Sequence, residues 1–201
     1  MIRDQKRLTG CFTVVFILLC SLLHPGITAY ADELPASHPS CITCKGSISP
    51  KGRWCNNHNG TITDMTTGLV WLFDAGWGGL RSIWSIATGR YFTSTITYYD
   101  ETAFDRASSV KNGNPTSLTD GSKQGDWHLP TLGQFRTLFT GIEAIGPSTY
   151  FFEGIQPHYY WSSTGYTGDV KLQYMLDMSN FRDYAGIKSG VAYVWPVRRW
   201  R

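Results

Sequence analysis

The sequence predicts an α+β domain built on a mainly antiparallel sheet with two helices. Short stretches rich in β-branched and aromatic residues stand at the start and at the end of the domain. Two stretches with apolar residues at helical spacing lie between them. Because the strands and helices do not alternate one by one, this order argues against a parallel α/β sheet.

The first strand pair is predicted at residues 60–64 and 69–73. Residues 65–68 between them form a turn, in which Gly68 supplies the positive φ that such a turn often needs. Residues 74–98 carry aromatic side chains among glycines and threonines, and we predict a long loop or an extra hairpin there.

The first helix is predicted over residues 100–112, with Asp100 as its N-cap and Gly113 at its C-terminal end. The second follows Thr131, which forms a capping box with Gln134 because each side chain can satisfy a free backbone N–H of the other residue. The apolar stripes are Ala103, Phe104, Ala107 and Val110 in the first helix, and Leu132, Phe135, Leu138 and Phe139 in the second.

Strands return near the C-terminus, at residues 159–162, 171–178 and 191–198. A turn is expected at residues 177–180 or just beyond. Trp127 and Trp161 stand beside tight polar turns and are predicted to fill the core at the sheet edge.

The N-terminus is typical of a secretory signal peptide over residues 1–31. Its charged start precedes the apolar run 11–23, and Ala-Tyr-Ala at 29–31 places the cleavage before Asp32. We therefore expect an exported protein that is periplasmic, on the cell surface or extracellular. The alternatives are an uncleaved N-terminal anchor, which would be the protein's link to the membrane, and a lipoprotein modified at Cys20, where Leu19 is bulky for that role.

Composition agrees with a rigid extracellular domain. Charged residues make up 16% of the chain, against about a quarter in average proteins, and aromatic residues make up 14%. Cleavage would lower the formal net charge from +3 to about +1. This balance excludes the basic surface that nucleic-acid binding requires, so we expect no nucleic-acid partner.

Residues 32–59 are predicted to form a cysteine-containing neck, and residues 60–201 a domain that folds without it. In an oxidising compartment Cys41, Cys44 and Cys55 would give one disulfide and a spare thiol. The spacing Cys-x-x-Cys followed by Cys-x-x-His, ending at His58, also fits a Cys3His zinc site. Three unpaired thiols are the remaining alternative.

Six phrases in the chain match a known family in the same order. They are Gly-Thr-Ile-Thr-Asp at 60–64, Thr-Gly-Leu-Val-Trp at 67–71, Leu-Thr-Asp-Gly-Ser at 118–122, Gly-Asp-Trp-His-Leu-Pro-Thr at 125–131, Tyr-Trp-Ser-Ser-Thr at 160–164 and Tyr-Val-Trp-Pro-Val-Arg at 193–198. On these residues the chain resembles the family named for the C-terminal domain of the Legionella collagen-like (Lcl) protein, long described as a domain of unknown function. The chain departs from the family pattern at His128 and Gln134, and in an apparent insertion at 75–98.

The resemblance implies a C-type-lectin-like fold, akin to that of formylglycine-generating proteins. It also implies export and, from the namesake, binding of sugar polymers. The family has no associated catalytic residues, so none is carried over to this chain.

The residue types needed for catalysis are sparse in the domain. Only His128 and His158 remain there, and no cysteine follows Cys55, whereas a formylglycine-generating enzyme would need reactive cysteines in the second half. Ser162 lies in a strand-like phrase and not in a nucleophile elbow. Asp120 and Asp126 could bind calcium, but loop aspartates more often cap turns. We therefore expect no enzyme activity, no cofactor and no bound metal.

The expected function is a binding module of the adhesin type that recognises polysaccharide or another surface polymer. Rings interleave with amides and cations near the C-terminus, where rings can stack on sugars and polar groups can bind hydroxyls, although some of the rings will point into the core. A structural or assembly protein of the cell envelope is the alternative, and a relative of formylglycine-generating enzymes comes third. The predicted ligand-binding residues are Tyr166, Lys171, Gln173, Tyr174, Asn180, Arg182 and Tyr184.

Overall fold

Two five-stranded sheets form the frame of the computed structural model, which describes residues 42–81, 83, 101–142 and 151–201. The first sheet is antiparallel and consists, in spatial order, of β1 (Ser47–Ile48), β2 (Trp54–Asn56), β3 (Thr61–Asp64), β4 (Leu69–Leu72) and β10 (Val197–Arg199). The second consists, in spatial order, of β5 (Leu80–Arg81), β9 (Ala192–Tyr193), β6 (Tyr159–Gly165), β7 (Leu172–Asp177) and β8 (Arg182–Ile187).

Two helices complete the described ranges, α1 (Ala103–Ser108) and α2 (Leu132–Ile142). All strand pairs are antiparallel except β6 with β9, which is parallel. The predicted α+β class with a mainly antiparallel sheet and two helices is therefore confirmed. Within the described ranges, no helix is long and apolar enough to cross a membrane.

The first predicted strand pair forms as β3 and β4. Ile62 lies opposite Trp71, and both are fully buried, while Gly68 adopts a φ of +72° in the connecting turn. A side chain at this φ would be strained, which explains why the turn carries glycine.

The described part of the predicted neck is not separate from the domain. β2 pairs with β3 in antiparallel register, with Trp54 opposite Asp64. The Trp54 side chain is buried in the same core as Ile62 and Trp71. Residues 42–59 therefore extend the first sheet. The sequence pattern missed β1 and β2 because each is too short to show alternation.

The first helix is shorter than predicted. It begins after Thr102, whose hydroxyl accepts the Asp105 N–H while the Asp105 carboxylate accepts the Thr102 N–H. It ends at Ser108, where the hydroxyls of Ser108 and Ser109 donate to carbonyls one turn back and compete with further helical bonds. Phe104, expected in the buried stripe, is 42% exposed.

The second helix begins as predicted. The Thr131 N–H donates to Gln134 Oε1 at 2.8 Å, and the Gln134 N–H donates to Thr131 Oγ1 at 3.1 Å, which is a complete capping box. Leu132, Phe135 and Leu138 are buried, as the spacing of the stripe requires.

The last predicted strand, 191–198, is instead two strands in two sheets. β9 pairs with β6 in the second sheet, whereas β10 pairs with β4 in the first. Residues 194–196 carry the chain from one sheet to the other, and Pro196 has no N–H to donate to a continuous ladder. β8 was not predicted, because its exposed residues lack a clear apolar alternation.

The larger core lies between the first sheet, α2 and one face of the second sheet. It joins Ile62 and Trp71 to Phe135 of α2 and to Tyr160 and Leu176 of β6 and β7. Seven of its 18 buried residues are aromatic, four of them tryptophans, and each such ring buries a large apolar area. Trp127 belongs to this core and is 1% exposed, as predicted.

A smaller core lies on the opposite face of the second sheet, against α1. Trp161 and Met175 pack there with Ala103 and Ala107 of the helix. The Trp161 indole N–H donates to the Arg81 carbonyl at 2.6 Å, and the side chain is fully buried. The predicted core role of Trp161 is thus confirmed.

Candidate functional site

The pairing of β7 with β8 divides the predicted ligand residues between two faces of the second sheet. Met175 lies opposite Tyr184 and Asp177 opposite Arg182, so these side chains share one face. Tyr174, one residue along, projects from the other face, which packs against α2. The seven residues therefore do not form one surface.

Gln173 is a correction to the predicted binding set. Its side chain is 4% exposed, and its Nε2 donates to the Ser162 carbonyl at 3.0 Å. A buried amide needs such a partner, and here the amide joins β7 to β6 beneath the surface. Gln173 therefore holds the sheet together and is not available to a ligand.

Three other predicted residues lie apart from Tyr184. Tyr166 and Tyr174 contact each other edge to face, with ring centroids 5.3 Å apart. Lys171 is exposed in the loop before β7, where its backbone N–H donates to Asp169 Oδ1 at 2.8 Å. Lys171 and Tyr166 lie towards the end of the β7–β8 hairpin away from its turn, and Tyr174 is on the other face of the sheet from Tyr184.

The remaining predicted tyrosine, Tyr184, is the first of four rings in consecutive contact. We call these four residues the aromatic strip. Tyr184 contacts Tyr159 at 4.9 Å between centroids, Tyr159 contacts His158 at 5.5 Å, and His158 contacts Tyr193 at 5.9 Å. Tyr184 is 51% exposed, His158 is exposed, and the other two rings are partly exposed. The ring contacts fix neighbouring side chains against one another and leave ring surface open to solvent.

The turn between β7 and β8 places polar groups beside the strip. Asp177 accepts from the N–H and hydroxyl of Ser179 and from Asn180 Nδ2, and Asn180 Oδ1 accepts the Arg182 N–H at 3.0 Å. The Ser179 hydroxyl, more than any other group, holds the pKa of Asp177 below its usual range, and the nearby His158 acts in the same direction. These hydrogen bonds close the turn, and the exposed Arg182 lies on the same face of β8 as Tyr184, two residues before it.

Sequence reasoning missed a polar groove of about 460 Å³ on the outer face of the first sheet. Thr61 and Thr63 alternate with the buried Ile62. In the sequence, this alternation predicts that the two threonines form the solvent-facing side of the strand. Both threonines are instead almost fully buried beneath the groove. The groove is lined by Thr43, Lys45, Asn57, Asn59, Thr61, Thr63, Val70, Asp120, Gly121, Ser122, Asp126, Arg198, Trp200 and Arg201.

The two acidic residues considered as calcium ligands lie in this groove and accept hydrogen bonds from arginines. Arg198 Nε and Nη2 donate to Asp120 Oδ2 at 3.1 and 2.8 Å. Arg201 donates to Asp126 Oδ1, and the Lys123 N–H donates to its other oxygen at 2.7 Å. The Lys123 N–H and then Arg201 lower the pKa of Asp126.

The cysteines of the predicted neck include one disulfide, between Cys44 and Cys55, whose Cα atoms are 5.6 Å apart. Cys41 lies outside the described residues. The disulfide uses two of the four ligands of the zinc alternative, and His58 Nε2 lies 2.7 Å from Ser47 Oγ. In the described ranges no group of three metal-binding side chains occurs.

Two of the groups considered for catalysis, Ser162 and His128, form hydrogen bonds with strands, Ser162 through its hydroxyl and His128 through its main chain. The Ser162 hydroxyl donates to the Tyr174 carbonyl at 2.8 Å and therefore serves the β6–β7 pair. His128 forms a backbone bridge with Val197, with hydrogen bonds of 3.0 Å in both directions.

Residues 60–198 match the model of the Lcl C-terminal domain family, which is more than half of the chain. The chain belongs to this family. The matched range runs from the start of β3 into β10, so it contains the second sheet and the strands β3, β4 and most of β10 of the first sheet, but not β1 and β2. No curated protein matches the chain. Of the insertion at 75–98, residues 75–81 and 83 are described, and the rest lies outside the described residues.

Proposed function

We propose that this chain is an exported, non-catalytic binding module that recognises polysaccharide or another surface polymer through the aromatic strip. The observation that carries the proposal is the contact series of Tyr184, Tyr159, His158 and Tyr193, an extended set of rings of which Tyr184 and His158 are exposed and the other two are partly exposed. Such a series suits an extended ligand better than a small compact one.

The chemistry of the strip suits sugars. Tyrosine rings offer a flat apolar face at a small cost in side-chain entropy, because they have few rotatable bonds and are already packed against one another. Arg182 is exposed beside Tyr184 and can bind hydroxyl, carboxylate or sulfate oxygens. The hydrogen bond from the Arg182 backbone N–H to Asn180 Oδ1 fixes the main chain from which this side chain extends. Binding of this kind requires no cofactor and no metal.

Export and a C-type-lectin-like fold are parts of the same proposal. The Cys44–Cys55 disulfide supports export, because disulfides persist mainly in oxidising compartments. Membership of the Lcl C-terminal domain family and the two-sheet, two-helix architecture support the fold. Sequencing of the secreted protein should give an N-terminus at or near Asp32, and a mature protein that retains Met1 in the membrane fraction would contradict export.

The binding proposal is tested by affinity electrophoresis of the purified protein in gels that contain mannan, dextran, galactan or dextran sulfate. We expect at least one polymer to retard the protein, and Tyr184→Ala to remove most of that retardation. Tyr166→Ala is the matched control, because this tyrosine lies outside the strip. Equal retardation of both variants, or no retardation of the unchanged protein, would contradict the proposal.

A structural or assembly role in the cell envelope is the second candidate. β8 is at the edge of the second sheet among the described strands, and Ile187 on it is 60% exposed. An exposed edge strand can pair with a strand of another protein. Co-purification of one stoichiometric envelope protein that is lost with Ile187→Lys, without polymer binding, would favour this role.

A further inference from the structure

We propose that the polar groove of the first sheet binds the C-terminal end of a peptide, with the terminal carboxylate at Lys45 and Asn59 and the last side chain against Trp200. All three residues line the groove, whose volume of about 460 Å³ is within the range of about 300–1,000 Å³ that is usual for small-ligand sites. The groove shares no lining residue with the aromatic strip. The groove is therefore a second site with a ligand class of its own.

Lys45 is the charged group of the groove that is open to an anion. It is exposed, and it forms no ion pair with any residue that the structure describes. The carboxylates of the lining are held by arginines, Asp120 by Arg198 and Asp126 by Arg201. The three cations and two carboxylates of the lining thus leave one positive charge in excess, which favours an anionic ligand.

The amide of Asn59 adds a fixed hydrogen-bond donor to this charge. Its Oδ1 accepts the Thr61 hydroxyl at 2.7 Å, whereas no acceptor within residues 42–81, 101–142 and 151–201 takes the hydrogens of Nδ2. Thr61 is 1% exposed and therefore holds the amide from below, while Nδ2 itself is not buried and is open to a ligand. An ammonium and an amide N–H pair in one groove suit the two oxygens of a carboxylate.

The carboxylate acceptors of the groove are already engaged, which argues against a ligand rich in hydroxyls. Ser122 donates to Asp120 Oδ1 through its N–H and hydroxyl, and Arg198 donates to Oδ2. Asp126 accepts from Arg201 through one oxygen and from a main-chain N–H through the other. Sugar hydroxyls must donate as well as accept, and a desolvated donor without an acceptor is costly, whereas a carboxylate only accepts. The groove therefore favours an organic acid over a saccharide.

Asn57 supplies an acceptor that suits a peptide. Its Nδ2 donates to the hydroxyls of Thr61 and Thr63 at 2.8 and 2.9 Å. Its Oδ1 lies 3.4 Å from Cys55 Sγ, but this sulfur belongs to the disulfide with Cys44 and has no hydrogen to donate. Among the described residues, Oδ1 therefore has no hydrogen-bond donor. The last peptide N–H of a bound chain is a donor of the kind that this oxygen accepts.

Trp200 forms the apolar wall of the groove. Its side chain is partly exposed there, and its main-chain N–H donates to the Gly68 carbonyl at 2.8 Å, which fixes the chain after β10. An indole buries a large apolar area against a neighbouring ring or branched side chain. We therefore expect the peptide to end in an aromatic or a branched apolar residue.

The test follows the indole N–H signal of Trp200 in the ¹⁵N-labelled protein during titration with N-acetyl-alanyl-phenylalanine and N-acetyl-alanyl-leucine, each as the free acid and as the C-terminal amide. The Trp200 signal is assigned by its loss in Trp200→Phe. We expect at least one free acid to shift this signal, and the matching amide to bind at least about fivefold more weakly because it lacks the charge. The Kd of the acid should rise with salt concentration, since salt screens the contact between ammonium and carboxylate.

Lys45→Met should raise the Kd of the acid about three- to fivefold, whereas Lys45→Arg, which keeps the charge, should change it less than about twofold. Lys188→Met is the matched control and should leave the Kd unchanged, because this lysine directly follows β8 in the second sheet and lies outside the groove lining.

The proposal is overturned if neither acid shifts the Trp200 signal, if the amides bind as tightly as the acids, or if Lys45→Met binds as tightly as the unchanged protein. Tighter binding of glucuronate than of both acids would also overturn it, because the groove would then be a saccharide site. Retardation by polymers is measured separately with Tyr184→Ala, so failure of the groove and failure of the aromatic strip are distinguishable.

Discussion

The indole N–H of Trp195 donates to the main-chain carbonyl of Leu72 at 2.8 Å, in a buried hydrogen bond that spans 123 residues of sequence. It fixes the segment where the chain crosses from the second sheet to the first. The neighbouring Trp71, whose ring centroid is 5.3 Å from that of Trp195, has no hydrogen-bond partner for its own buried indole nitrogen among the described residues.

These two tryptophans allow the contribution of one hydrogen bond to be measured. Trp195→Phe removes this hydrogen bond and leaves the buried Leu72 carbonyl without that donor. Trp71→Phe removes the same atoms but no hydrogen bond. We therefore expect Trp195→Phe to lower the free energy of unfolding by about 1–3 kcal/mol more than Trp71→Phe does. Urea denaturation gives both free energies of unfolding. Equal losses would show that the bond contributes nothing net.

The Cys44–Cys55 disulfide should contribute measurably to stability. It closes a loop with a sequence separation of 11, for which chain-entropy arguments give roughly 3 kcal/mol. We expect the double variant Cys44→Ser/Cys55→Ser to lose about that much in thermal or urea unfolding. Peptide mapping without reduction should recover the two cysteines in one linked peptide; stoichiometric zinc, lost on mutation of His58, would support the metal alternative instead.

Removal of the segment before Asn59 should destabilise the domain. The truncation deletes β2 and Trp54, which is 1% exposed and contacts Phe152 edge to face at 5.5 Å. We expect a chain that begins at Asn59 to melt without cooperativity or at a much lower Tm than a chain that begins at Cys41. Trp54→Ala alone should cost about 3–5 kcal/mol. A cooperative transition at an unchanged Tm in the shorter chain would restore the interpretation of residues 32–59 as a separate neck.

Acid should weaken the turn beside the aromatic strip. The pKa of Asp177 is held below its ordinary value of 3.8, so its carboxylate contributes stability that is complete above that value and is lost as the pH falls through the lowered pKa. We expect Asp177→Asn to be less stable than the unchanged protein at about pH 6 and to lose less stability on acidification to about pH 2. Urea midpoints over this range measure both effects, and parallel pH profiles would contradict the assignment.

Local chemistry was enough to predict several elements from the sequence. The capping box of Thr131 and Gln134, the turn at Gly68 and the burial of Trp161 each depend on residues close in sequence or on one large apolar side chain. The order of strands and helices then determined the α+β class, and the matching phrases determined the family.

Tertiary structure alone decided how these elements are shared between the sheets and which surfaces result. Pro196 and the pairing of β10 with β4 split one predicted strand between two sheets. Gln173 is buried on β7, inside the second sheet, whereas Tyr184 is exposed on β8 at its edge among the described strands. The polar groove joins Asn59 to Asp120 and Trp200, which are far apart in the chain. Sequence alone could not predict these relationships, because strand partners are selected by packing across the core, and a shift of one residue in register exchanges the buried and exposed faces.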